Sequence, residues 1–379
     1  MLYYLKKYGN LSFQAHPFNE IDALILSQIS YLNVDLFTHD YNEEVFVKDI
    51  LTPENAKKLA FASMTRSGNE KLAKIFPMTT RYDKVYFKHV ENKINYENVE
   101  QFFAMTFFVE KLIFIAYRGT DLTIAGWQED FNMAFSDAVP AQTDSVIYLN
   151  KIYDLYHRDV LIGGHSKGGN LALYAYLNTS DDIRKHVSCC YDFDGPGFVD
   201  KSILESESYI EGKDRIKAMS STMSMVAMLM YNVDNIIFLK TSGFTVLQHN
   251  PYNWHIQSSR RLKRIKRNSI TSRYFTKSVD RFFEVMNPDE IKKFFKTLYF
   301  IAMNNPKSSL LDIKAHPFRF IRNVRQRRKL LTMEQSKNYN MIKKKIRKVF
   351  TDVLKEEIKR KLDEGHKRKI FKVFFRFNK

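Results

Sequence analysis

The chain is poor in cysteine, with two in 379 residues, and these are the neighbours Cys189 and Cys190. The peptide link between them holds their sulfurs in poor geometry for a bridge, so no disulfide framework is expected. That fits a reducing compartment and excludes the small disulfide-stapled secreted classes. Both read as small apolar residues of a buried strand. With only 13 glycines and 9 prolines, collagen-like and low-complexity compositions are also excluded. Long apolar runs are missing too. The longest, around Met223–Met230, is too short to cross a bilayer. The opening MLYYLKKYGNLSF has no apolar stretch followed by small residues, so it does not read as a secretory signal. A cytoplasmic protein is expected.

What is present is a core-forming composition, 44% hydrophobic with 31 Phe and 21 Tyr, in a length that suits one large domain or two moderate ones. Charge divides the chain. Residues 256–379 hold 36 Lys+Arg against 11 Asp+Glu, whereas residues 1–255 hold 24 against 31. The reading is a mildly acidic domain over 1–255 and a basic helical extension over 256–379.

Within the first part, apolar spacing predicts a helix over 16–35. Thr52-Pro53 predicts a capped helix running to about Met64. Runs at 84–90, 101–108 and 111–117 read as strands, the last two joined tightly through Glu110-Lys111. A helix over 145–156, a strand over 160–163 and a helix over 170–177 follow. Further strands are expected at 188–193, 215–219, 236–240 and 245–247. Alternation of helices with short apolar strands predicts an α/β fold with a mostly parallel sheet covered on both faces. The extension reads as amphipathic helices over 276–302, 317–331 and 338–376.

Gly164-His165-Ser166-Lys167-Gly168 matches G-x-S-x-G, between an apolar strand and a helix. A turn that sharp admits only small residues two positions either side of the serine, and it exposes the serine hydroxyl. Ser166 is the candidate nucleophile. The backbone N–H of Lys167, at the positive end of the following helix, is placed to hold an oxyanion. A second donor is expected from the loop after an earlier strand. There KLIFIAY runs into Arg118-Gly119-Thr120-Asp121, and Thr120 could donate through its backbone N–H and its hydroxyl.

The fold's order is nucleophile, acid, histidine. Of ten histidines, His249 in Gln248-His249-Asn250-Pro251 is the expected base, with His255 its competitor. Asp194, at the carboxyl end of the 188–193 strand, is the favoured acid because active-site groups collect at such strand ends. Asp234 and Asp192 remain alternatives. After the 215–219 strand come Ser-Ser-Thr-Met-Ser, which offer no carboxylate.

YRGT, a tryptophan-containing loop and GHSKGG together resemble the class-3 lipases, which pair FRGT with GHSxGG. The chain is more similar still to an uncharacterised bacterial lipase-like family that carries QFFAMTF, RGTD, GWQEDFNMAF, VPAQ, GGHSKGGNLALYA, DGPGF and QHNPYNW in this order. The likeness covers roughly residues 15–255. It implies the α/β-hydrolase fold and acyl-ester hydrolysis, with an acid near the Ser-Ser-Thr-Met-Ser segment in the class-3 pattern, from which this chain departs.

Neither a metal-ligand cluster nor a phosphate-cradling loop is visible, so no cofactor is implied. An acyl-ester or lipid substrate is the expected partner; thioesterase and phospholipase chemistry stay open, since the same three residues serve both. Basic segments such as 325–329 and 343–348, with Phe and Leu between them, suggest an anionic membrane surface as partner for 256–379 and a peripheral place on the inner face of a membrane. Nucleic acid is the weaker partner, because no recognition motif accompanies the charge. A hydrolase-like scaffold without turnover, working as a membrane-surface interaction protein, is the alternative reading.

Overall fold

The computed structural model describes residues 1–379 except 38–41, 61–64, 122, 223, 225, 228, 244–245, 267–269, 303–316 and 364–379. One sheet carries eight strands in chain order: β1 (Val45–Phe46), β2 (Tyr86–Asn95), β3 (Glu100–Val109), β4 (Leu112–Tyr117), β5 (Val160–His165), β6 (Val187–Phe193), β7 (Ile216–Ser221) and β8 (Ile237–Leu239). From β1 to β4 neighbours pair antiparallel, and from β4 to β8 parallel. The connections dictate the change. Glu110-Lys111 turns β3 straight back into β4, with Glu110 at φ 55°, whereas parallel neighbours need a crossover long enough for a helix. The result is the α/β sheet expected, mostly parallel.

Helices α1 (Leu2–Tyr8), α2 (Glu20–Ile29), α3 (Val47–Ile50), α4 (Ala56–Leu59) and α5 (Arg66–Ile75) cover one face. After α6 (Ile124–Asn132), the helices α7 (Pro140–Tyr156), α8 (Lys167–Asn178), α9 (Asp181–Lys185) and α10 (Glu207–Gly212) bring residues to the other. Strand alternation sorts the side chains: Phe103, Met105 and Phe107 enter the first core, Phe102, Ala104 and Phe108 the second. Cys189 and Cys190 part in the same way and are free buried thiols.

Several local expectations need correction. In place of a strand at 245–247, Val246–His249 form a helical turn, α11, while Thr245 lies outside the described residues. The edge of β8 is already taken: Leu239 bridges Arg264, and the Lys240 N–H donates to the Lys263 carbonyl. That edge segment belongs to a hairpin in which Ile256 bridges Leu262, and buried Leu262 joins the first core. The chain therefore stays hydrogen-bonded to the sheet through Ile265. The capped helix after Thr52-Pro53 is reduced to a turn and α4, with 61–64 outside the described residues.

In the extension, the single helix expected over 276–302 is two, α12 (Ile270–Val285) and α13 (Pro288–Ala302). Pro288 cannot donate to the preceding turn but suits a first helical position. Next come α14 (Pro317–Lys329) and α15 (Met333–Asp363), which starts earlier than predicted; the expected stretch beyond 363 lies outside the described residues. Met286, Ile291, Phe294 and Ile342 bury a small core of their own, with Phe135 of the sheet domain against it. Among the described residues no helix is long and apolar enough to cross a membrane.

Candidate active site

The carboxyl ends of β4, β5, β6 and β7 converge on one place. Ser166 follows β5 directly and has φ 60° and ψ −135°, a conformation rare for any residue with a Cβ. Packing enforces it. A Cβ on Gly164 would lie 2.3 Å from the Gly168 carbonyl oxygen, and one on Gly168 would lie 2.1 Å from that of Tyr117. The strand and helix therefore approach as closely as the two glycines permit. Lys167 opens α8, so its N–H belongs to the helix's unpaired first turn.

Asp194 follows β6 at φ 62°, its N–H donating to the Met219 carbonyl at 2.8 Å. His249 ends α11. The three side chains form a hydrogen-bonded row: Ser166 Oγ stands 3.0 Å from His249 Nε2, and His249 Nδ1 2.6 Å from Asp194 Oδ2. With Nδ1 donating to the carboxylate, Nε2 is left to accept the serine proton. The Asp194 carboxylate is wholly buried, and the His249 side chain is 20% exposed. Asp194 Oδ1 accepts the Ser220 hydroxyl, and the Ser221 N–H at 3.4 Å. So the serines that end β7 hold Asp194 of the neighbouring strand β6.

The rival residues are engaged elsewhere. His255 Nε2 is 2.7 Å from the Ser242 hydroxyl. Asp234 is exposed, and its N–H donates to the Tyr209 hydroxyl. Asp192 is buried and accepts the Gly195 N–H at 2.8 Å; burial pushes its carboxyl up to about 7, against the pull of that hydrogen bond.

His165, the residue before Ser166, fastens His249. Its Nε2 donates to the His249 carbonyl at 2.9 Å. Burial, with the neighbouring His249 ring, lowers His165 to about 3, so it stays neutral. Tyr31, just beyond α2, donates its hydroxyl to the His165 carbonyl at 2.9 Å and accepts the Gly119 N–H at 3.0 Å. A Cβ at Gly119 would fall 2.1 Å from that hydroxyl and 3.2 Å from Ser166 Cβ. Glycine thus lets the loop after β4 press against the serine. The Trp254 indole donates to the Gln248 carbonyl and holds α11 from behind.

In the loop after β4, the Thr120 hydroxyl is committed to Asp130 Oδ2 at 2.5 Å. Only its N–H remains to face a substrate, and that N–H has no hydrogen-bond partner among the described residues. Burial raises Asp130 to about 6, tempered by the nearby Lys167 cation. Lys167 itself turns inward, 1% exposed, and pairs with wholly buried Glu129 at 2.5 Å. Its ammonium also donates to the Gln101 carbonyl at 2.7 Å, while Glu129 accepts the N–H groups of Gln101 and Ala141 at 3.0 Å each.

Sequence reasoning named the three residues of the row but missed Tyr31, Ser220, and the Lys167–Glu129–Asp130 cluster. Glu129 and Asp130 stand in the GWQEDF segment, where two acids among apolar residues were a signal that something buried must balance them. Tyr31 carried none.

Residues 76–300, more than half of the chain, match the family model described as Mbeg1-like. No curated protein and no solved structure matches.

Proposed function

We propose that this chain, which belongs to the lipase-like Mbeg1-like family, is a serine hydrolase that cleaves carboxylic esters of lipid or lipid-like substrates. The observation that carries this reading is the position of His249, within hydrogen-bond distance of Ser166 on one side and Asp194 on the other.

Ser166 Oγ attacks the ester carbonyl while its proton passes to His249 Nε2. Asp194 keeps the ring's tautomer and balances the imidazolium that forms. The N–H groups of Lys167 and Thr120 receive the negative oxygen of the tetrahedral intermediate. On collapse, the bond to the leaving alcohol breaks and His249 returns the proton to its oxygen, leaving an acyl-Ser166. Water then attacks with His249 as base again, releasing the acid and free Ser166. The left-handed backbone at half-buried Ser166 supports the reading, since such strain needs the surrounding structure to hold it.

A fluorophosphonate probe tests this. Covalent labelling of the folded chain that disappears in both Ser166→Ala and His249→Ala is the expected result. A folded protein that takes no label, with or without lipid vesicles, would overturn the enzyme reading in favour of a scaffold that does not turn over.

A further inference from the structure

Among the described residues, the apolar faces of α13 and α15 are largely covered. Phe294, Ile342 and Ile346 turn inward on one another, so α13 and α15 cannot lay those faces into a bilayer. The turn between α14 and α15 carries the most exposed apolar side chains among the described residues of the extension. Leu330 is 70% and Met333 91% exposed there, although each is a large apolar side chain. Arg325, Arg328 and Lys329 stand exposed on the last turns of α14. Along α15, Met333, Lys337, Met341, Lys344 and Lys348 fall at three- and four-residue spacing on the outward side, all exposed, while Ile342 and Val349 face in. One acid, Glu334, lies on this surface, directed to Lys293 at 3.4 Å.

We propose that the α14–α15 turn is a docking tip for an anionic lipid bilayer. Leu330 and Met333 enter the interface while the cations around them meet the headgroups. The charge fits one occupant: the tip sits in the strongly basic segment of a chain whose remainder is net acidic. Apolar side chains framed by lysine and arginine suit the boundary between headgroup and acyl chain, where neither charge nor hydrocarbon alone anchors well. A duplex of nucleic acid would use the cations but leave Leu330 and Met333 stranded in water. The inference is independent of the chemistry at Ser166.

Flotation of the full chain with vesicles of phosphatidylcholine, with and without phosphatidylglycerol, tests it. The wild type should float with the anionic vesicles and remain behind with the neutral ones. Leu330→Asp/Met333→Asp should cut partitioning to anionic vesicles by about tenfold or more; Arg325→Gln/Arg328→Gln should weaken it and flatten its salt dependence. Both sets of residues are exposed, so circular dichroism should stay unchanged, and fluorophosphonate labelling reports the sheet domain separately. Equal partitioning to both vesicles, aspartate variants that float like wild type, or a chain that ignores vesicles but retards an RNA or DNA duplex would each overturn the proposal.

Discussion

At the residue scale, the two aspartates flanking Phe193 make opposite demands. Asp194 faces His249, while Asp192 is buried against the Gly195 N–H. Asp194→Asn would turn a hydrogen-bond donor or the wrong tautomer toward His249 and should lower the rate of probe labelling by roughly 10³–10⁴-fold, the scale of such a change in a Ser-His-Asp site. Asp192→Asn keeps an oxygen for Gly195 and should leave labelling within a few-fold of wild type. Its effect belongs to stability. A carboxyl raised to about 7 in the folded chain, from about 3.9 unfolded, holds its proton more tightly when folded. Ionising it therefore costs stability as pH rises from about 4 to 7, and the penalty is constant above that. The asparagine carries none, so the variant should gain on the order of 2–4 kcal/mol over wild type at pH 8 and show little gain near pH 4. Urea melts at the two pH values decide it; an equal gain at both would show that titration of Asp192 is not the cause.

At the element scale, α6 and α8 are tied by a charge pair that water does not reach. Removing one partner leaves the other buried and unpaired. Glu129→Leu or Lys167→Met alone should each cost about 3–5 kcal/mol, whereas the double variant should cost much less than their sum, because neither member of the pair is then left buried without the other. Additive losses in chemical denaturation would sink this account. The same pair marks where sequence reading reaches its limit. The G-x-S-x-G turn was legible because local sterics alone require its glycines and its strand–helix setting. The strands β3 to β7 were legible through their apolar runs, and Asp194 through its place at a strand end. Lys167's side chain was not, because a lysine in a sequence gives no sign that a carboxylate 38 residues away has folded over it. Nor was the helical turn bearing His249, since the apolar Thr-Val-Leu triplet looks strand-like until a later hairpin is seen to occupy the edge of β8. The break at Asn287-Pro288 was within reach, for proline inside a helical pattern is a stop signal.

At the scale of the whole molecule, the division into acidic and basic parts was plain from charge, but where the second rests on the first was not. Periodicity gives a helix an apolar face without naming what covers it. Phe135, just after α6, belongs to two clusters at once. It packs with Met133, Ala134 and Met230 of the sheet domain and against Met286, Ile291 and Phe294 of the extension, and the Lys292 ammonium lies 5.8 Å from its ring centre. Opposite net charges favour the contact in general terms, but beyond about 8 Å physiological salt screens them. The contact at Phe135 is with apolar side chains and the Lys292 ammonium, and it lies just past the short helix that carries Glu129 and Asp130. Phe135→Ala should open the extension from the sheet domain by about 1–2 kcal/mol, a partly buried share of a full aromatic deletion. That corresponds to roughly 5–30-fold faster amide exchange in α13 with little change in β3 to β6. High salt on the wild type should do less. Protection of α13 that is lost in high salt but unmoved by Phe135→Ala would mean that charge, not this ring, holds the two parts together.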